Sequence, residues 1–179
     1  MHARHLIHRD LHTGNILLRS TPSGLLEAAL VDFGKTMDVR RAGNGDIPQA
    51  AKSRNPPEVL IVPFSKLNRY LVDVYAMGCN YYHMVWKQPV PWQNAYNVYA
   101  VHTYAHFFRE KMHRHIVSMY SDEKRKKIGS LLAKKRKGVA LSRNERFQIL
   151  VFRMIDFEPL RRPSVSEIVR RLQKLAPTL

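Results

Sequence analysis

The spacing of apolar residues divides the chain into a short extended part and a long helical part. Two brief apolar runs, residues 16–18 and 28–31, flank a polar turn rich in Ser, Thr, Pro and Gly, which predicts a β-hairpin. From Leu71 onward, apolar residues recur every three or four positions, as in helices that pack in a core. The pattern predicts an α+β fold that is mostly α-helical, with a small hairpin near its start.

Five helices follow from this periodicity and from the residues that interrupt it. They cover residues 71–86, 94–113, 121–137 and 146–155, and the fifth begins after Ser164. Ser164 has Glu167 three places on, which is the spacing of a capping box. Residues 35–57 are polar and lack a period, which predicts a long loop, and long loops in compact domains are usually functional.

The composition limits the class of protein. A hydrophobic fraction of 45% is enough for a core, and the chain has no apolar run long enough to predict a membrane span. The first residues lack the apolar stretch of a signal peptide. Cys79 is the sole cysteine, so no internal disulfide framework exists. We therefore expect an intracellular protein, cytoplasmic or nuclear.

The net charge of +16 is unevenly distributed. Residues 109–146 hold 13 Lys or Arg and 4 Asp or Glu, a net charge of +9. Such a region attracts acidic partners, whether nucleic acid, anionic lipid or acidic protein segments. The two basic clusters at 124–127 and 134–137 lack interleaved aromatic residues, so a solvated helical face is favoured over a specific nucleic-acid site.

Two short motifs carry the chemistry. Residues 8–15 read His-Arg-Asp-Leu-His-Thr-Gly-Asn, and Asp32-Phe33-Gly34 follows after the hairpin. Together they resemble the catalytic loop and the metal-binding loop of eukaryotic-type protein kinases. The first string fixes five positions of the family pattern and is therefore much more specific than either tripeptide alone.

Further landmarks of this family follow in the expected order. They are Pro56-Pro57-Glu58, the pair Asp73 and Gly78, Pro91-Trp92, and Arg162-Pro163. The resemblance covers about residues 5–175 and is to the larger, C-terminal lobe of a protein kinase. It implies one domain over 1–179, with a catalytic loop at 8–15, an activation segment at 32–58 and a helical subdomain at 59–179.

The resemblance implies a site for ATP and Mg²⁺. Asp10 would orient the substrate hydroxyl, and Asn15 and Asp32 would bind the metal between the phosphates. Leu17 would form the apolar floor under the adenine. The implied reaction is phosphoryl transfer from Mg·ATP to a hydroxyl of a protein substrate.

Other positions would support that site. His8 and Phe33 would stack beside Gly34, and Asp73 would anchor the catalytic loop. Glu58 and Arg162 would form a buried bidentate pair. Arg9 would receive a phosphorylated residue of the 35–57 loop, for which Thr36 and Ser53 are the nearest candidates.

Two positions depart from the family pattern. His12 lies where serine/threonine kinases commonly have a lysine, and imidazole, with a reference pKa of about 6.5, is largely neutral at pH 7. His12 therefore compensates the γ-phosphate charge less well. Ala51 lies where those kinases usually have a threonine. The choice between Ser/Thr and Tyr substrates stays open.

The 179 residues contain no Gly-x-Gly-x-x-Gly loop and no strand of the Val-Ala-Ile-Lys type. We therefore expect a kinase that is completed by an N-terminal lobe or an activating partner, while these residues alone bind ATP weakly. The alternative is a truncated kinase or pseudokinase that acts as a protein-binding scaffold. A zinc site at His102 and His106 is disfavoured because no glutamate follows the first histidine, as it does in His-Glu-x-x-His.

Overall fold

The computed structural model of the protein describes residues 1–41, 54–60, 67–93 and 106–176, with only the backbone of 60 and 106–109. This part of the chain is mostly helical and carries two small two-stranded sheets. The strands are β1 (Leu6–Ile7), β2 (Ile16–Ser20), β3 (Leu26–Leu30) and β4 (Met37–Asp38). The helices are α1 (Tyr70–Trp86), α2 (His106–Arg136), α3 (Arg143–Met154) and α4 (Val165–Gln173).

The two apolar runs near the start of the chain pair as an antiparallel hairpin. Its register runs from Ile16 opposite Leu30 to Ser20 opposite Leu26. Gly24, at φ 77°, lies in the connecting turn, where a residue without Cβ adopts the left-handed conformation at little cost. The hairpin is flanked by a second antiparallel pair, β1 with β4, which the alternation of polar and apolar residues did not predict.

Helix α1 lies at the centre of the core. The apolar periodicity from Leu71 onward predicted this helix correctly. Most of its residues are buried, because neighbouring elements pack on more than one of its sides. The largest cluster of buried side chains joins α1 to α2, α3 and the Val90–Trp92 region. Its bulkiest fully buried members are Trp92, Tyr75, Tyr82 and Phe152. Aromatic residues thus fill the space between the helices.

The expectation of separate helices ending at 113 and starting at 121 was wrong, because residues 106–136 form a single helix. The reason is that residues 114–120 contain neither Gly nor Pro, and they continue the buried stripe through Ile116 and Tyr120 to Ile128. Residues 94–105, where the first of these helices was predicted to begin, lie outside the described part of the chain.

The caps of the last two helices also differ from expectation. Ser142 and Glu145 form a full capping box, which starts α3 three residues before the predicted start at Arg146. At α4, the Ser164 side chain accepts a hydrogen bond from the backbone N–H of Glu167, as predicted. The Glu167 carboxylate is instead bound to Arg171, so only half of the predicted box is formed there.

Two helical glycines provide a matched test of this packing. A Cβ at Gly78 would lie 2.7 Å from Ile155 Cγ2 and 2.8 Å from Met154 Cβ, whereas at Gly129 it would meet only Arg125 Cγ at 3.8 Å. Gly129→Ala should stabilise the fold by up to about 1 kcal/mol, because alanine favours helix. Gly78→Ala should destabilise it by about 1–3 kcal/mol, because overpacking outweighs that gain. Urea denaturation of both variants measures the difference, and equal midpoints would contradict the close approach of α1 to the end of α3.

Candidate functional site

The site is built around one buried carboxylate on α1. Asp73 is 4% exposed and accepts hydrogen bonds from the backbone N–H groups of His8, at 2.8 Å, and Arg9, at 2.9 Å. His2 Nε2 approaches the same carboxylate at 3.0 Å. Because Asp73 binds backbone groups, the attachment of the loop of residues 8–15 (the 8–15 loop) to α1 does not depend on the side chains of His8 and Arg9.

The far end of the 8–15 loop is held by amide side chains. Asn15 is buried, and its Nδ2 donates to the backbone oxygen of Asp10 at 3.0 Å. Asn80 on α1 donates to the backbone oxygen of Leu11, at a longer 3.5 Å. His12 caps the short 3₁₀ turn Thr13–Asn15, because its Nδ1 accepts from the backbone N–H of Gly14 at 3.1 Å. The His12 ring therefore serves the loop itself.

The hairpin brings Asp32 to the same place as Asn15. Beyond the last ladder pair, the backbone N–H of Val31 donates to the backbone oxygen of Asn15 at 3.0 Å. Asp32 follows directly, in the left-handed region at φ 59°, and accepts from the backbone N–H of Gly34 at 3.3 Å. The residues that the sequence placed at opposite ends of a hairpin are thus neighbours in space.

A lysine that the sequence analysis did not single out contacts the central carboxylate of the loop. Lys35 Nζ donates to Asp10 Oδ2 at 2.8 Å, and Asp10 is buried while the Lys35 side chain is 40% exposed. Lys35 ends the 3₁₀ turn Phe33–Lys35, which turns the chain back toward the loop. No local pattern in the sequence marks this contact, because it depends on the direction of the turn at Phe33.

His8 links the loop to the turn after the hairpin. It is fully buried, and its Nε2 donates to the backbone oxygen of Val31 at 3.0 Å. Its ring packs against Phe33, with 5.4 Å between the ring centroids. Phe33 itself is 52% exposed, so one of its faces is open to solvent or to another element. The structure thus brings together His8, Phe33 and the turn at Gly34.

The candidates for control by phosphorylation are only partly described. Arg9 has φ 67°, and its Nη1 lies 3.3 Å from Met37 Sδ. Thr36 is half-buried, and within the described structure its hydroxyl has no hydrogen-bond partner. Ser53 and Ala51 lie outside the described residues. Reception of a phosphate by Arg9 stays a prediction.

The predicted pair of Glu58 and Arg162 is present. Two parallel hydrogen bonds of 2.5 and 2.7 Å join the guanidinium to the carboxylate, and both side chains are buried. Arg162 also donates from Nε to the backbone oxygen of Asp156 at 2.6 Å. Its guanidinium carbon lies 4.9 Å from the ring centroid of Tyr75. This pair ties the segment that follows residue 53 to the helical core, 104 residues later in the chain.

Both faces of the hairpin carry exposed leucines. Leu17, 55% exposed, lies on one face, whereas Leu18, at 66%, and Leu26, at 68%, lie on the other, because successive strand residues point to opposite sides. The hairpin therefore leaves apolar area accessible on both of its sides. Leu17 is the second residue of β2 and lies two residues after Asn15. It is therefore at the end of the hairpin that is close to Asn15.

Other chemistries are not supported by the described residues. No group of three or more His, Cys, Asp or Glu in residues 1–41, 54–60, 67–93 and 106–176 could hold a metal ion. His102 and the side chain of His106 lie outside that description. Burial raises the pKa of Cys79 to about 12, so it remains a protonated thiol rather than a nucleophile. No described helix combines the length and the apolarity needed to cross a bilayer.

Comparison with known proteins shows similarity to a family and to a characterised relative. The family model described as "Protein kinase domain" matches residues 1–172. A segment of the chain is 32% identical to serine/threonine-protein kinase bur1 of Neurospora crassa. That alignment covers 50% of this chain but only 17% of the relative, so the chain corresponds to a small part of that protein's length.

The Glu58–Arg162 pair has a matched control at the surface. Glu58→Ala should lower the free energy of unfolding by about 3–5 kcal/mol, because it leaves a buried guanidinium without its partner. Glu27→Ala breaks an Arg19–Glu27 pair whose side chains are 78% and 52% exposed. That change should cost less than about 1 kcal/mol. Chemical denaturation of the two variants tests this, and equal small losses would refute a structural role for the buried pair.

Proposed function

Because this chain belongs to the protein kinase family, we propose that it carries the catalytic part of an enzyme that transfers the γ-phosphoryl group of ATP to a protein hydroxyl. The observation that carries this proposal is the convergence of Asp10, Asn15 and Asp32 at one end of the hairpin. Phosphoryl transfer demands little covalent chemistry from the protein. It demands positioned charge, and this corner of the fold supplies it.

Asp10 is the group that we assign to the substrate. Its carboxylate is buried and belongs to a loop whose backbone is fixed by Asp73. A carboxylate held in this way accepts a hydrogen bond from the attacking hydroxyl and aims the oxygen at the phosphorus. The rigid attachment to α1 reduces the entropy lost when the reacting groups are aligned.

Asn15 and Asp32 are the groups that we assign to Mg²⁺. Because Nδ2 of Asn15 donates to the backbone oxygen of Asp10, we assign its Oδ1 to the cation. Asp32 is exposed and adds a carboxylate. Amide and carboxylate oxygens are the donors that this ion prefers, so the residues fit it. When bound, the metal would neutralise negative charge on the phosphates of ATP.

We assign to Lys35 the positive charge that serine/threonine kinases commonly supply from a lysine at the position of His12. The His12 ring is engaged with the backbone of its own loop, whereas Lys35 Nζ lies 2.8 Å from Asp10 Oδ2. An ammonium group beside the substrate carboxylate is well placed to offset charge that develops on the transferred phosphoryl group. It also attaches the segment after Gly34 to Asp10.

Leu17, an exposed apolar residue of the hairpin, fits a nucleotide floor. We assign Leu17 to contact with the adenine. We assign the covering of the phosphates to elements such as a Gly-x-Gly-x-x-Gly loop, which is not found in the sequence of these 179 residues. In this assignment the chain supplies a catalytic loop at 8–15, an activation segment at 32–58 and a helical subdomain at 59–179. Similarity to a serine/threonine kinase favours a Ser or Thr hydroxyl as the acceptor.

The metal assignment predicts the effect of one carboxylate. In a polypeptide that joins residues 1–179 to the nucleotide-covering elements, Asp32→Ala should abolish phosphoryl transfer, because the metal loses a ligand. Asp38→Asn is the control, since it removes a nearby carboxylate that is bonded to Arg40. Transfer of labelled phosphate to a generic protein substrate is the measurement. Activity of Asp32→Ala within a few-fold of the unchanged protein would overturn the assignment and favour a scaffold.

The Lys35 assignment predicts a rescue. In the same polypeptide, Lys35→Met should lower kcat by about 10–100-fold, whereas the melting temperature should fall less than for Glu58→Ala, because the Lys35 side of the ion pair is 40% exposed. Adding His12→Lys should restore much of the lost activity by returning a cation to the family position. A control variant, Lys126→Met, removes an exposed lysine of α2. If Lys35→Met is fully active, or the double variant gains nothing, Lys35 has only a structural role.

A further inference from the structure

A second concave site lies in the helical part of the fold. It is a cavity of about 570 Å³ formed by the end of α2, the connection that follows it, α3 and α4. Its volume falls within the range of ligand-binding sites, about 300–1,000 Å³. Its lining residues include none from the 8–15 loop or the hairpin. Any ligand there would therefore be bound apart from the proposed phosphoryl-transfer site.

The rim of this cavity is strongly cationic. Five basic side chains contribute to its lining, and no acidic side chain does so: Lys135, Arg146, Arg170, Arg171 and Lys174. Arg171 is neutralised by Glu167 at 2.5 Å. Within the described structure, the other four make no ion pair with a carboxylate. Arg170 is close enough to Glu167 to contribute to the lowered pKa of that carboxyl, but the positive charges on this concavity still outnumber the negative ones. They repel one another, and an anionic ligand would relieve that repulsion.

The floor of the cavity is apolar. Leu141, Ile149, Leu150 and Leu175 lie among its lining residues. Ile149 and Leu150 are buried members of the core, so the floor is backed by packed helices and cannot readily collapse. A simple inorganic anion would use the rim and leave this floor wet. The floor therefore calls for a ligand that carries apolar groups as well as negative charge.

We propose that this cavity binds an acidic peptide segment of a partner protein, with bulky aliphatic side chains on the floor and carboxylates at the rim. Both halves of the surface are then satisfied by one chain, because acidic and aliphatic residues alternate readily along a peptide. The lining contains no aromatic side chain on which a base could stack, which disfavours single-stranded nucleic acid. In this arrangement the peptide is a docking segment that brings its protein to the chain.

The probe is a fluorescein-labelled peptide with the repeat Glu-Glu-Leu-Leu, titrated with the 179-residue chain at about 150 mM salt, where nonspecific attraction is screened. Fluorescence anisotropy measures its Kd. Replacing Leu by Ser in the peptide, or Glu by Gln, should weaken binding by at least about tenfold, because each removes one half of the complementarity.

Two charge-reversed variants locate the binding site. Arg170→Glu with Lys174→Glu changes the rim of the cavity, and Arg114→Glu with Lys126→Glu changes exposed positions of α2 by the same net charge. The first should weaken peptide binding by at least about tenfold and the second by less than about threefold. Circular dichroism melts should show that both variants remain folded.

Each other outcome overturns the proposal. Equal losses in the two double variants would show that the net charge of +16, and not the cavity, attracts the peptide. Unchanged binding of the Leu-to-Ser peptide would leave the apolar floor without a role. Displacement of the peptide by oligo-dT at the same concentration would assign the cavity to nucleic acid. Failure of the peptide to bind the unchanged chain would remove the docking site, without bearing on phosphoryl transfer.

Discussion

The buried carboxylate of Asp73 is the contact on which the geometry of the candidate site depends. It holds two consecutive backbone N–H groups of the 8–15 loop, and it lies in the first turn of α1. Without this acceptor, the buried N–H of His8 would lose its partner, at about 1–3 kcal/mol, and the half-buried N–H of Arg9 would lose its partner as well. Helix α1 is fixed in turn by the close approach of Gly78 to Met154 and Ile155. The packing of α1 on α3 therefore determines where Asp10 lies.

Two residues of the site have a strained backbone. Arg9 and Asp32, one at each end of the hairpin region, are non-glycine residues with φ of 67° and 59°. A left-handed conformation costs such residues about 1–3 kcal/mol and persists only where surrounding contacts enforce it. At Arg9 the enforcing contact is the bond to Asp73, and at Asp32 it is the bond from the backbone N–H of Gly34. The backbone conformation of both residues is therefore already set in the absence of a ligand.

The sequence predicted those features that depend on residues close together in the chain. Strand and helix periods located the hairpin, α1 and α3, because side-chain direction repeats every 2 or 3.6 residues. It missed the contact of Lys35 with Asp10, because that contact depends on a turn at Phe33 whose direction no local pattern encodes. It also divided α2 in two, because the buried stripe through Ile116 and Tyr120 includes polar neighbours that blur its period.

The buried charged groups of the fold are mostly carboxylates. Within the described structure, the fully or nearly buried charged side chains are five carboxylates, Asp10, Glu58, Asp73, Glu123 and Asp156, but a single guanidinium, Arg162. Several of them bind neutral donors: Glu123 accepts from the hydroxyl of Tyr82, and Asp156 contacts that of Tyr120.

Burial, together with Asp156, raises the pKa of Tyr120, so its hydroxyl stays protonated as a donor. The 30 basic residues outnumber the 14 acidic ones, and four of the five buried carboxylates already pair with a Lys or Arg, so the excess positive charge is left on the rest of the surface. The potential that a partner meets at the α2–α4 surface is therefore positive. The interactions that organise the interior thus leave the exterior suited to acidic partners, and the apolar floor of the cavity gives one part of that exterior its selectivity.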